Sequence, residues 1–150
     1  MIKTYGGFLM SQIRHLSERS WERLLRESGV EAFNGAQGRI LYVLWERGPL
    51  NITEIGRLTS LAKTTLTSML DRMEAAGLVE RLPDRRNRRQ IMVSVTDKAR
   101  EYREQYDRIS DRMSEIFYGG FSDAEIIYFE KRLRKIIENL ETSNCEMRER

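Results

Sequence analysis

Apolar residues along this chain recur at helical spacing, change briefly to alternation, and then return to helical spacing. Leu9, Ile13, Leu16, Ser20 and Leu24 step by three or four, and Trp21 and Leu25 widen the stripe, which predicts a first helix ending near Gly29. Asn34 and Gln37 read as a capping box that opens a second helix carrying Ile40, Leu41, Val43, Leu44 and Trp45, stopped by Gly48-Pro49. Residues 50–52 predict a short strand, and Thr53 a cap for a short helix with Ile55 and Leu58 inward. From about residue 63 to 76, Leu66, Met69, Leu70 and Met73 share one helical face. That leaves Thr64, Thr65, Ser68, Asp71 and Arg72 on or near the other face, and Gly77 stops the helix. Residues 78–82 and 90–95 read as paired strands, with Ile91, Val93 and Val95 alternating, joined by Pro83 and the run 84–89.

Thr96-Asp97 opens a long helix with the stripe Ala99, Tyr102, Tyr106, Ile109, Met113 and Ile116, broken at Gly119-Gly120. Ser122 and Glu125 form a second capping box. The last helix carries Ile126, Phe129, Leu133, Ile136 and Leu140, and Ile127 and Ile137 extend that stripe to a second flank. A stripe this wide exceeds what one short neighbour covers, so mutual burial between two chains is expected. The fold class that follows is mainly α with a small antiparallel β-wing: a winged helix-turn-helix flanked by long N- and C-terminal dimerisation helices. The expected organisation is a single domain over 1–150, with a DNA-binding lobe at 35–95 and dimerisation helices at 1–30 and 97–142.

A helix pair followed by a basic hairpin changes the meaning of the charge. The net charge is only +3, but five arginines face one aspartate within 81–89. Residues 51–95 hold eight Lys/Arg against five Asp/Glu, whereas residues 96–150 hold eleven against thirteen. A localised basic patch beside such a helix is the electrostatic footprint of nucleic acid. The second helix can enter the major groove, and the hairpin can reach the backbone or adjacent minor groove.

The residues expected to touch DNA are Lys63, Thr64, Thr65, Thr67, Ser68 and Arg72 on the helix, and Arg85, Arg86, Arg88 and Arg89 on the wing. The hydroxyls can donate or accept and threonine methyls can meet thymine, with Thr67 nearer the buried face. Arg72 and Lys63 suit phosphates, and Asp84 is expected to hold the hairpin by pairing with one of the arginines. No enzyme is expected. His15 stands alone, so no metal site is expected; no cofactor is expected either. Cys145 lies in a polar tail, and neither a glycine-rich phosphate loop nor a nucleophile elbow occurs. The apolar runs are too short to span a bilayer and no secretory signal is evident, which places the chain in the cytoplasm.

The stretches G-P-L-N-I-T-E-I at 48–55, K-T-T-L-T-S-M-L-D-R-M-E-A-A-G-L-V-E-R at 63–81, D-R-R-N-R-R at 84–89 and V-T-D-K-A at 95–99 together resemble the multiple-antibiotic-resistance regulators, the MarR family. The resemblance implies an obligate homodimer with intertwined terminal helices and transcriptional control, most often repression, at a pseudo-palindromic double-stranded operator. It also implies relief by a small aromatic, phenolic or otherwise amphipathic ligand bound between the DNA-binding lobe and the dimer helices. Many members carry Asp where this chain has Asn87, which makes this wing more positive. Peroxide-sensing members keep a reactive cysteine in the N-terminal helix, where this chain has none. The candidate ligand pocket is Trp21, Tyr42, Trp45 and Tyr106, with Arg14 or His15 meeting an anionic group. Two other functions fit parts of the pattern: a low-specificity architectural DNA-binding protein and a winged-helix protein-interaction module. The four-arginine wing argues against the second, which needs no phosphate-facing charge.

Overall fold

The computed structural model describes residues 1–149. Its elements run α1 (Gly6–Glu27), α2 (Gly35–Arg47), β1 (Leu50–Asn51), α3 (Ile52–Thr59), α4 (Lys63–Ala75), β2 (Val79–Pro83), β3 (Ile91–Val95), α5 (Asp97–Arg100), α6 (Arg103–Phe117) and α7 (Asp123–Arg148). The described residues divide into two compact units, 1–113 and 114–149.

In the first unit, the periodic apolar positions close on one core. Ile40, Leu41 and Leu44 of α2, Ile55 of α3, and Leu66, Leu70 and Met73 of α4 are all buried, with Val79 and Val93 from the sheet. Burying each such side chain is worth about 1.5–3 kcal/mol. The sheet order is β1-β3-β2, antiparallel throughout, with Leu50 opposite Val93 and Val79 opposite Val95. Capping fixes where each helix begins. The Asn34 side chain accepts from the Gln37 backbone N–H at 2.8 Å, and the Gln37 side chain accepts from the Asn34 N–H at 3.1 Å. Gly38 lies beneath two rings: a Cβ there would meet Phe33 and Tyr106 at 3.1 Å.

Two boundaries differ from the sequence expectation. The short helix is capped by Asn51, whose Oδ1 accepts from the Glu54 N–H at 2.8 Å, and not by Thr53. Asn51 already has extended backbone because it pairs with Met92 in the sheet, so the strand residue serves as the cap. The expected continuous helix from residue 97 is interrupted at 101–102. There the Tyr102 N–H donates to the Ala99 carbonyl, an i→i−3 bond that tightens the turn. The N-terminal stripe is also less buried than its spacing suggests. Leu24 and Leu25 enter the core, whereas Leu9, Ile13 and Leu16 stay exposed.

The second unit contains the end of α6, a turn, and α7. Ser122 and Glu125 form the expected capping box, and its hydrogen bonds hold the Glu125 carboxyl below its ordinary range. Tyr118 packs edge-on against Phe117, Phe121 and Phe129, and its hydroxyl donates to Glu130 at 2.8 Å. No residue of α7 is fully buried within the chain.

Candidate nucleic-acid interface and ligand cavity

The helix α4 turns its apolar face to the core, so its polar face is presented by default. Lys63, Thr64, Thr65, Ser68 and Arg72 are all exposed. The Arg72 Nη2 donates to the Ser68 hydroxyl at 3.1 Å, which places both groups together one turn apart. Thr67 is different: it is half-buried and its hydroxyl donates to the Lys63 carbonyl at 2.8 Å. Its hydrogen-bonding capacity goes to its own helix.

The end of α4 is tied down tightly. Gly77 has φ of 75°, a left-handed conformation natural to glycine, and the Leu78 N–H reaches back to the Met73 carbonyl at 2.9 Å. Thr96 donates its hydroxyl to the Gly77 carbonyl at 2.6 Å, and Lys98 Nζ donates to the Ala76 carbonyl at 3.0 Å. The start of α5 is thereby fastened to the end of α4. A second tie was not anticipated from the sequence. Arg81 of β2 pairs with Asp71 at 2.8 Å and donates to the Thr67 carbonyl at 3.4 Å, joining the wing strand to α4. Hydrophobic periodicity says nothing about such a pair, because both residues lie on faces that it marks simply as polar.

The wing places Arg85, Arg86, Arg88 and Arg89 in solvent. Asp84 stabilises the hairpin through a backbone donor, and among the described residues no guanidinium pairs with it. Its Oδ1 accepts from the Arg86 backbone N–H at 3.0 Å. Asn87 builds the next turn in the same way, accepting from the Arg89 N–H at 3.2 Å. Backbone donors thus hold the loop and the four side chains remain available.

The aromatic residues named from the sequence gather around Tyr106. Trp21, Tyr42 and Trp45 lie with ring centroids 5.3, 5.6 and 5.6 Å from it, Tyr42 stacked and Trp45 edge-on. They do not line one chamber. A cavity of about 740 Å³ between α1, α2 and α6 is lined by Trp21, Tyr106, Arg14 and Arg39, while Tyr42 and Trp45 face other openings. His15 is exposed and lies outside this lining; Arg39, absent from the sequence reading, takes its place. The Trp21 and Trp45 Nε1 groups are buried without a partner among the described residues. Burial, with Tyr42 nearby, pushes the Tyr106 phenol up from 10.0 to about 12, against the opposing pull of Arg39. The neutral phenol is therefore the form the fold favours. Its contribution is fully present below pH 10.0 and is lost as pH rises toward about 12. Chemical denaturation of Tyr106→Phe against the wild type across pH 9 to 12 is expected to show a shallower loss of stability in the variant. A difference of about 2 kcal/mol at most is expected at the alkaline end, and identical slopes would show that Tyr106 is hydrated.

Among the described residues, no group of three or more His, Cys, Asp or Glu is placed to hold a metal ion. No helix among them is long and apolar enough to cross a membrane. Cys145 is exposed on α7.

The model of the MarR family matches residues 33–91, covering the helix pair and most of the wing. The chain is 46% identical over 61 residues to the HTH-type transcriptional regulator TtmR of Methylorubrum extorquens, covering 41% of this chain and 31% of that protein. It is 31% identical over 81 residues to the HTH-type transcriptional regulator YkoM of Bacillus subtilis, covering 54% and 53% respectively. The chain thus spans from about a third to half the length of these two relatives. The fold is shared with BpsR of Bordetella bronchiseptica at a TM-score of 0.76 and 20% identity, covering 87% of this chain and 91% of that one. That structure describes regulation of DNA binding by 6-hydroxynicotinic acid. The match to the MarR family model thus falls on the helix pair and most of the wing, and what the chain shares with the solved structure is its fold.

Proposed function

We propose that this chain is a sequence-specific, DNA-binding transcriptional regulator that acts as a homodimer in the cytoplasm. It represses from a pseudo-palindromic operator and is released by a small aromatic or amphipathic ligand. The observation that carries this reading is the exposed polar face of α4 beside four exposed wing arginines, on a lobe whose core is already complete. The relatives' names as transcriptional regulators support it, and the regulation of BpsR by an aromatic acid supports the ligand arm. The dimer is supported by the apolar faces left exposed on α1 and α7, including Phe8, Ile127 and Leu140. Terminal segments 1–30 and 97–142 are the proposed dimerisation helices.

Retardation of operator and scrambled duplexes at two salt concentrations tests the reading. A specific regulator is expected to prefer its operator by about a thousandfold or more. A ratio near one indicates an architectural protein, and no retardation indicates a protein-interaction module. Aromatic acids such as salicylate are expected to release the operator, and Cys145→Ser is expected to leave both binding and release unchanged. Release by peroxide from the wild type but not from the serine variant would replace the ligand with a thiol switch.

Within that interface, Thr65 and Ser68 are the proposed base readers. Thr65→Ala or Ser68→Ala is expected to change which operator bases are preferred, at about 1–3 kcal/mol per lost base contact. Ser68→Ala also releases Arg72 from its hydroxyl partner, so its effect is expected to exceed that of Thr65→Ala. Binding selections on randomised half-sites measure this, and unchanged preferences in both variants would exclude these hydroxyls as readers.

A further inference from the structure

The cavity lined by Trp21 and Tyr106 does not end at its two arginines. A second opening of about 490 Å³ adjoins it, and Arg14 and Arg39 line both. Tyr106 faces the first and Tyr42 the second, with their rings stacked 5.6 Å apart at 22°. A pair of stacked tyrosines and two guanidinium groups therefore form the partition.

The two sides differ chemically. The first offers the aromatic faces of Trp21 and Tyr106, beside Glu18, which pairs with Arg14, and Glu22, which accepts from the Gly35 N–H. The second is walled by Val43 of α2 and by Leu58 and Leu61 around the α3–α4 turn. At that turn Ser60 holds a left-handed φ of 57°, and α4 begins three residues later. The arginines between them are not equally engaged. Arg14 shares an exposed pair with Glu18 at 3.2 Å, whereas Arg39 makes no ion pair among the described residues.

We infer that the two openings form one bipartite site for a carboxylate bearing two apolar arms, one aryl and one aliphatic. This rests on reading the chain as ligand-responsive. The carboxylate lies between Arg14 and Arg39, where a charge-assisted hydrogen bond replaces bulk water. The aryl arm packs on Trp21 and Tyr106. The aliphatic arm enters the second opening against Val43 and Leu61. N-acylated apolar amino acids have this arrangement; simple aryl acids fill only the first half.

Calorimetry on the full chain without DNA, using phenylacetate, N-phenylacetyl-L-leucine and its uncharged amide, N-phenylacetyl-L-leucinamide, tests each part. The two-armed acid is expected to bind at least tenfold more tightly than phenylacetate and at least tenfold more tightly than the amide. Val43→Phe or Leu61→Phe is expected to abolish the advantage over phenylacetate while phenylacetate still binds. Arg39→Ala is expected to abolish the advantage over the amide, with the circular dichroism melt confirming that each variant folds. Equal binding of the two acids overturns the proposal. So does an acid-over-amide preference that survives in Arg39→Ala, or an unchanged arm preference in both filled variants. Because DNA is absent, failure here leaves operator retardation standing. Ligand binding as expected, without retardation of any operator, fails the regulator reading alone.

Discussion

Replacing Ile137 and Leu140 together with glutamate is expected to leave a monomer at micromolar concentration and to lower operator affinity by about 10²–10⁴-fold. Both residues lie on α7, three apart and thus on one face, with 54% and 58% of their surface exposed in the single chain. Met147 continues this apolar surface toward the C-terminus, and Ile127 and Tyr128 are exposed on other faces of the same helix. A helix of 26 residues with nothing fully buried has too much apolar surface to remain uncovered. In a symmetric interface each substitution appears twice, so the double variant places four carboxylates where apolar contact is expected. The loss of DNA affinity follows from linkage and not from damage to the reading surface. In the proposed dimer, two copies of α4 about 34 Å apart would engage successive half-sites, and the second engagement is intramolecular only while the protomers are joined. The lobe's core, built on Leu66, Leu70 and Met73, does not include either residue, so helical content and binding to an isolated half-site should survive. Sedimentation and retardation on whole and half operators measure both effects. A variant that stays dimeric and binds the whole operator with undiminished affinity would place the interface elsewhere.

The same two residues show where sequence reading works and where it stops. The stripe on residues 126–140 marks an amphipathic helix, and Ser122 with Glu125 marks its start, because spacing and capping are local physics. Spacing does not reveal which flank meets the chain's own neighbour. The half-buried positions are Ile126, Phe129 and Leu133, whereas Ile136 and Leu140 at the far end of the same stripe are exposed. In the first unit, α4 was legible for the same reason: Leu66, Leu70 and Met73 all reach the core as their period requires. The choice of Asn51 over Thr53 as a cap was not legible, since it depends on a strand pairing between Asn51 and Met92. Nor was the cavity. Trp21, Tyr42, Trp45 and Tyr106 do converge, but their ring orientations divide them among separate openings. Arg39 lines the cavity from the exposed side of α2, between the buried Gly38 and Ile40, and no motif marks it.

The wing arginines carry the other large expected effect. Arg86→Ala with Arg88→Ala is expected to weaken binding to operator and scrambled DNA alike and to flatten the dependence of affinity on salt. Each phosphate contact releases about 0.9 counterion from duplex DNA. Losing one or two contacts from each of two wings should therefore reduce the log–log salt slope by about two to four. The structure explains why the fold should tolerate the change. The hairpin is held by the side chains of Asp84 and Asn87 through the backbone N–H groups of Arg86 and Arg89, which alanine retains. Arg81 is the contrasting case. It is committed to Asp71 and the Thr67 carbonyl, so its removal should loosen the wing strand from α4 and alter specificity as well as affinity. Asn87→Asp provides a graded control, keeping the side-chain oxygen that accepts from the Arg89 N–H while adding one negative charge per wing. It should weaken binding at low salt less than the double alanine variant does, with the difference shrinking as salt rises. If the double variant keeps wild-type affinity and slope at low salt, the four arginines are a solvated loop, and α4 must bind DNA without the wing.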